Sequence, residues 1–277
     1  MKKSAQIKLL LERNFRPYLY VVKIRVLLAM TYRFEVIISV LTSIIVMLVT
    51  ALVWRTAFSG IDQVAGVNET QMLKYSIMAI ILAGIYSFSI EDNMRQKIRN
   101  GNVSVDYIKP VKVFLMYFLE DVGGSTVYFF QKAIPILITA SLIVVVPLPA
   151  SLPGFMLFLL SAALSYLIMW YISAIFALLY FKAINLGPLG AVKNHLILIL
   201  SGSFVPIWFF PEYIQRVLQF LPFIYIYQLP LGIFVGRYLL HEAITGMAIQ
   251  AVWCTFFMLA FLFYGKRVTN NLLIQGG

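Results

Sequence analysis

A chain of 277 residues that is 61% hydrophobic and 12% charged leaves no room for a sizeable soluble domain and has the composition of a polytopic membrane protein. The formal charge of +11 does not argue for nucleic acid, because the 22 Lys and Arg gather beside apolar runs, where basic residues are ordinary. The single cysteine, Cys254, lies in an apolar run and reads as a packing thiol, without a disulfide or metal cluster.

Residues 4–30 set Ile7, Leu10, Leu11 and Phe15 at helical spacing against Lys8, Arg13 and Arg16. This predicts an amphipathic helix in the membrane interface, kinked or divided at Pro17. The stretch 1–33 is accordingly one N-terminal unit, ahead of a transmembrane unit over 34–277. Basic residues interrupt any apolar core long enough for a cleavable signal peptide.

Apolar runs at 34–58, 73–90, 127–146, 154–181, 193–210 and 244–264 approach the roughly 20 residues that a bilayer crossing needs. They predict an all-α fold with six transmembrane helices, and the lack of sustained two-residue alternation sets a transmembrane barrel aside. With both ends on one side, most basic residues fall on that side, which the positive-inside rule makes cytoplasmic. Lys132, inside the third run, has no evident carboxylate partner.

The connection 91–126 is expected to be structured. Gly101 and Asn102 offer a helix stop, Pro110 permits a new helix from Val111, and an amphipathic stretch over 111–120 precedes re-entry at Gly123 and Gly124. On the opposite side, loops 59–72 and 147–153 are short. The segment 201–236 differs from a simple span because Pro206, Pro211, Pro222 and Pro230 punctuate an apolar run. Proline removes a donor and clashes with the preceding turn. Broken backbone at membrane depth survives only under cover of protein or water. Residues 211–243, rich in Tyr and Phe, therefore predict short re-entrant helices before the last span.

Catalytic constellations are missing from the sequence: no GxxxxGK[ST], HExxH or GxSxG occurs. His195 and His241 fall on opposite sides of the predicted topology and cannot form one site. Asn68-Glu69-Thr70 has the form of a glycosylation acceptor, to which no secretory context gives weight.

Ser201 and Gly202 followed by Pro206, Phe209-Phe210-Pro211, Leu221-Pro222, Pro230 and Gly232 resemble the fifth-span end and outer re-entrant helices of the permease subunits of type-2 ABC exporters. Arg99, Gly101, Lys109 and Pro110 are similar to that family's first cytoplasmic coupling region, and 4–30 to its interface helix. Among its members the chain is most like the permeases encoded in unequal pairs beside one ATPase.

The resemblance implies a transport subunit without its own ATPase site and without a bound cofactor or metal. ATP and Mg would be handled by a separate ABC ATPase, and a second permease copy, identical or paired, would complete the pathway. It implies export of an amphipathic substrate, such as a lipid, glycolipid, peptide or drug, with no nucleic-acid partner. Residues expected to couple to the ATPase are Arg95, Arg99, Gly101, Tyr107, Lys109 and Pro110, with Gly187 and Pro188 as a second contact. Pro206, Phe209, Phe210, Pro211, Phe220, Pro222 and Pro230 are expected to form an outer gate or exit, or alternatively to anchor the chain at the interface. An ion-coupled secondary carrier is the other reading; it calls for breaks in corresponding positions of two halves, whereas these fall in one half.

Overall fold

A computed structural model describes residues 20–28, 33–108, 112–182 and 187–275. The expected kink at Pro17 lies outside the described residues, while residues 20–28 form a helix, α1. Eleven further helices follow among the described residues: α2 (Arg33–Ala57), α3 (Glu69–Ile85), α4 (Ile90–Arg99), α5 (Val103–Ile108), α6 (Val113–Tyr128), α7 (Ile134–Ile143), α8 (Leu152–Leu179), α9 (Gly187–Leu200), α10 (Glu212–Leu218), α11 (Gln228–Phe234) and α12 (Leu240–Gln275). The fold is all-helical, a polytopic membrane architecture.

Among the described residues five helical runs are long and apolar enough to cross a bilayer: Phe34–Ala57, Glu69–Arg99, Val113–Ile143, Leu152–Leu179 and Leu240–Val268. A sixth arises if the pair Glu212–Leu218 and Phe223–Phe234, bent by 79°, is counted as one crossing. The apolar run expected as the fifth span over 193–210 is helical only to Leu200. A helix of 14 residues is about 21 Å long at 1.5 Å per residue, short of a hydrocarbon core of about 30 Å.

The third span begins at Val113 and not near residue 127, and it runs straight through Gly123 and Gly124. No re-entry turn forms there. A Cβ at Gly123 would come within 3.3 Å of the Val22 backbone, so this glycine admits α1 against α6 and does not break the helix. The disturbance falls later, where a π-helical turn at Phe129–Ala133 precedes Pro135 of α7. Proline has no N–H and crowds the carbonyl four residues back, and the wider π turn accommodates both.

Asn68 caps α3 in a reciprocal box: its Oδ1 accepts the Gln71 N–H at 2.9 Å, and Gln71 Oε1 accepts the Asn68 N–H at 3.1 Å. The Asn68-Glu69-Thr70 triplet therefore has a structural role. Loops 58–68, 144–151 and 201–239 meet at one end of the bundle. There Arg55 donates to the Val144 carbonyl (3.0 Å), Gln71 Nε2 to that of Val235 (3.1 Å) and the Ala150 N–H to that of Phe234 (3.0 Å). We call this the proline end. The other carries α4, α5 and the start of α9, and is the basic end. Between them α8 packs along α12 and α11, its inward side lined by Ser161, Ser165, Ile168 and Ile172.

Candidate functional site

The chain leaves helix at Ser201 because Gly202 takes φ +79°, a conformation that L side chains resist. The exposed backbone is answered from three directions. Tyr75 donates its hydroxyl to the Gly202 carbonyl at 2.7 Å, the Gln228 N–H reaches the Ser201 carbonyl at 3.0 Å, and Gln228 Oε1 accepts the Ile207 N–H at 2.7 Å. A Cβ on residue 202 would meet Gln228 Oε1 at 2.6 Å. The break is thus sealed by protein, as irregular backbone at membrane depth requires.

The deepest part of the returning chain, Tyr225–Gln228, is held from the bundle core. Gln250 of α12 is fully buried. Its amide nitrogen lies 2.8 Å from the Tyr225 carbonyl, 2.9 Å from the Ser161 carbonyl and 2.8 Å from Ser165 Oγ, among which its two N–H groups donate, while its oxygen accepts from Ser161 Oγ (3.0 Å). Ser165 Oγ lies 3.0 Å from the Tyr225 carbonyl as well. Helices α8 and α12 are thereby tied to the tip of the segment through one satisfied polar cluster.

That tip stands between two cavities, one polar and one largely apolar. One, of about 420 Å3 toward the basic end, is lined by Glu91, Arg95, Ser173, Lys193, Ser203 and Tyr227 among others. The other, of about 800 Å3 at the proline end, reaches Ile207, Trp208, Tyr225, Gln228, Arg237 and Trp253. A third cavity, of about 850 Å3, is almost wholly apolar and lies among α3, α6, α7 and α8; Tyr86 lines both it and the basic-end cavity. The Tyr86 hydroxyl donates to the Ala162 carbonyl at 3.0 Å.

At the basic end the helices are joined by charge. Lys193 of α9 pairs with Glu91 of α4, both side chains largely buried, and Lys193 Nζ also lies 3.3 Å from Ser173 Oγ. Burial, with the Glu91 carboxylate beside it, pushes the nearby Tyr180 hydroxyl above its ordinary range. Helix α4 stops in a Schellman turn: Gly101 takes φ +71°, its N–H reaches the Ile98 carbonyl at 3.1 Å, and the Asn102 N–H reaches that of Lys97 at 2.9 Å. Beyond it, Asp106 of α5 accepts from Lys97 Nζ at 2.6 Å and from the Tyr117 hydroxyl at 2.5 Å, which fixes α5 to α4 and α6. The break between α3 and α4 has its own anchor, since Asp121 Oδ1 accepts the Ser89 N–H (2.7 Å) and Oγ–H (2.8 Å), and Oδ2 accepts the Trp170 indole N–H (3.1 Å). Arg25 of α1 joins this cluster through Ser89 Oγ at 2.9 Å and Glu120 at 2.6 Å.

Of the residues expected to couple to an ATPase, Arg95 lines the basic-end cavity and pairs with Asp92 at 2.7 Å. Arg99 and Pro188 are exposed, and Gly101 makes the helix stop. Gly187 opens α9. Tyr107 lies in α5 with its side chain outside the description, and Lys109 and Pro110 lie outside the described residues. Among the residues expected at a gate, Phe220 lines the mouth of the proline-end cavity, where it is 80% exposed. Phe209 stacks on Trp54 of α2 at 5.6 Å, away from that mouth. Pro206 and Pro222 are buried and Pro211 is exposed; they begin the short helices at 207, 223 and 212, and Phe210 follows the first of these. Pro230 does not break its helix, because it sits in the first turn of α11, where an N–H has no intrahelical partner.

Sequence reasoning missed Gln250, Asp121 and the Lys193–Glu91 pair. Gln250 carried a usable signal as a strongly polar residue in the middle of the last apolar run. Lys132 lies over the Tyr128 ring at 5.7 Å and shares a cavity with Glu35, Glu120 and Asp121. No group of three or more His, Cys, Asp or Glu suited to a metal occurs among the described residues.

Residues 44–270 match the family model described as ABC-2 family transporter protein. The chain belongs to that family. It is an ABC-2 type permease, a multi-pass membrane component, and membership implies an ABC ATPase as partner in general. No curated protein and no solved structure matches the chain.

Proposed function

We propose that this ABC-2 permease is the transmembrane subunit of an ATP-driven exporter that moves an amphipathic substrate, such as a lipid, glycolipid, peptide or drug, across the cytoplasmic membrane. The observation that carries the reading is the position of Tyr225–Gln228 between two cavities, one polar and one largely apolar, opening toward opposite ends of one bundle. A segment there is a barrier when seated and opens a route when withdrawn, as alternating access requires. The adjoining apolar cavity, with Tyr86 at its border with the polar one, supports a cargo with an apolar part.

By the positive-inside rule the basic end and both termini face the cytoplasm. The chain lacks a phosphate loop, so work reaches it through contact: a separate ATPase binds and hydrolyses ATP with Mg and engages α4, α5 and the start of α9. Arg95, Arg99, Gly101 and Tyr107, with Gly187 and Pro188, are the described residues assigned to that contact. A second permease, identical or paired, completes the assembly within membrane lipid. Displacement of α4 then acts on α9 through Glu91 and Lys193, and α9 leads directly into the Gly202 break.

The test is co-purification with an ABC ATPase, giving vanadate-sensitive ATP hydrolysis. Reversing the charge of Arg99 should lower complex yield while membrane insertion is unchanged. Transport by the chain alone, indifferent to ATP depletion, would overturn the proposal.

A further inference from the structure

The cavity at the proline end combines an unneutralised cation with an unsatisfied donor. Arg237 lines it, and none of the ion pairs among the described residues includes Arg237. Its guanidinium lies over the Trp208 ring at 5.0 Å, and one N–H reaches the Gly66 carbonyl at 3.1 Å. Trp208 is only 8% exposed, and its buried indole N–H has no hydrogen-bond partner among the described residues. Indole nitrogen can only donate, so it calls for an acceptor, and the guanidinium calls for negative charge; one anionic acceptor answers both.

The described residues do not supply it. Among the described residues Glu242 is the one carboxylate lining the cavity, and its Oε2 accepts the Leu239 N–H at 2.8 Å, at the start of α12. There it answers the positive end of a helix. The remaining wall is largely apolar and aromatic, with Phe220, Ile224, Ile249 and Trp253.

We infer that this cavity is a binding site for a phosphate-bearing amphiphile, with Arg237 and Trp208 meeting the phosphate and the aromatic wall receiving the apolar part. Phosphate fits better than carboxylate. A guanidinium fork engages two acceptor oxygens; a carboxylate must then take the indole N–H on an oxygen already engaged, whereas a phosphate offers it a further oxygen. The inference rests on the cavity's chemistry and is tested without an ATPase, so failure of the export reading leaves it standing.

The full chain in a maltoside detergent, free of phosphate, is titrated with phosphatidic acid or diacylglycerol carrying brominated chains, and tryptophan quenching is read. Trp208 and Trp253 line the cavity and report on it. The wild-type chain should be quenched at a phosphatidic acid concentration at least about tenfold below that for diacylglycerol, as one good charged contact provides. Arg237→Gln should abolish that preference, Trp208→Phe should reduce it with Trp253 as reporter, and Arg237→Lys should keep part of it. Arg216→Gln, outside the cavity, should leave it intact. Equal quenching by the two lipids, or an undiminished preference in both Arg237→Gln and Trp208→Phe, would overturn the inference. Displacement of the bound lipid by inorganic phosphate at equal concentration would overturn its apolar half and assign the site to a free phosphate.

Discussion

Glu91 of α4 and Lys193 of α9 form an ion pair whose side chains are 15% and 8% exposed, joining two segments that are 102 residues apart. One is the continuation of the second span, and the other leads into the Gly202 break. Removing one member of a buried pair strands the other charge, at a cost of about 3–5 kcal/mol, whereas replacing both by apolar groups is often neutral. Lys193→Met and Glu91→Leu should each lower the melting temperature of the purified chain, and the double variant should recover most of the loss. Additive losses would show that the two side chains act independently.

Gln250 donates both amide N–H groups and accepts from Ser161 Oγ in a fully buried site. Gln250→Leu keeps the volume but leaves the Ser161 hydroxyl and part of the Tyr225 carbonyl unanswered, and an unsatisfied buried polar group costs about 1–3 kcal/mol. Faster hydrogen exchange over 223–228 is the expected result. Exchange that rises equally throughout α8 would place the effect in the bundle and not in the tip.

Two glycines with left-handed backbone separate strain from contact. Gly202→Ala and Gly101→Ala each introduce about 1–2 kcal/mol of backbone strain. Only at residue 202 does the new Cβ strike Gln228 and Tyr75, at 2.6 and 3.1 Å, while nothing lies within 4 Å at residue 101. The 202 variant should therefore show the larger fall in thermal stability. Equal falls would mean that Gln228 moves aside freely.

Asp106 holds α5 through Lys97 and Tyr117. A hydrogen bond to a charged group contributes about 1.5–3 kcal/mol, so Asp106→Ala should raise exchange of the 103–108 amides by roughly tenfold or more. Tyr117→Phe, which leaves the Lys97 contact in place, should have a smaller effect. The reverse order would make the tyrosine the principal anchor.

Much of this architecture is legible in the sequence because its causes are local. Length and apolarity mark α2, α8 and α12, Gly101 and Asn102 mark the end of α4, and Gly202 with Pro206 marks the break in the fifth run. Other features depend on partners distant in the chain. Gly123 and Gly124 read as a re-entry turn until α1 is seen against Gly123, and Pro230 reads as a breaker until it falls in the first turn of α11. Lys193 is one among the basic residues of one side until Glu91 is beside it. The candidate site divides in the same way. Prolines announce a broken segment, but that its tip lies between two cavities, secured by Gln250, is a property of packing.

The proposal that Tyr225–Gln228 is a barrier moved by ATP hydrolysis is tested most directly at Ser203, which lines the basic-end cavity. Cys254 is the chain's only cysteine, so Ser203→Cys in a Cys254→Ala background gives a single reporter. In the resting complex of permease and ATPase, a membrane-impermeant thiol reagent applied at the proline end should leave residue 203 unmodified. Modification should begin on addition of ATP and Mg and stop with vanadate. Reaction at the same rate with and without nucleotide would contradict a barrier worked by the ATPase.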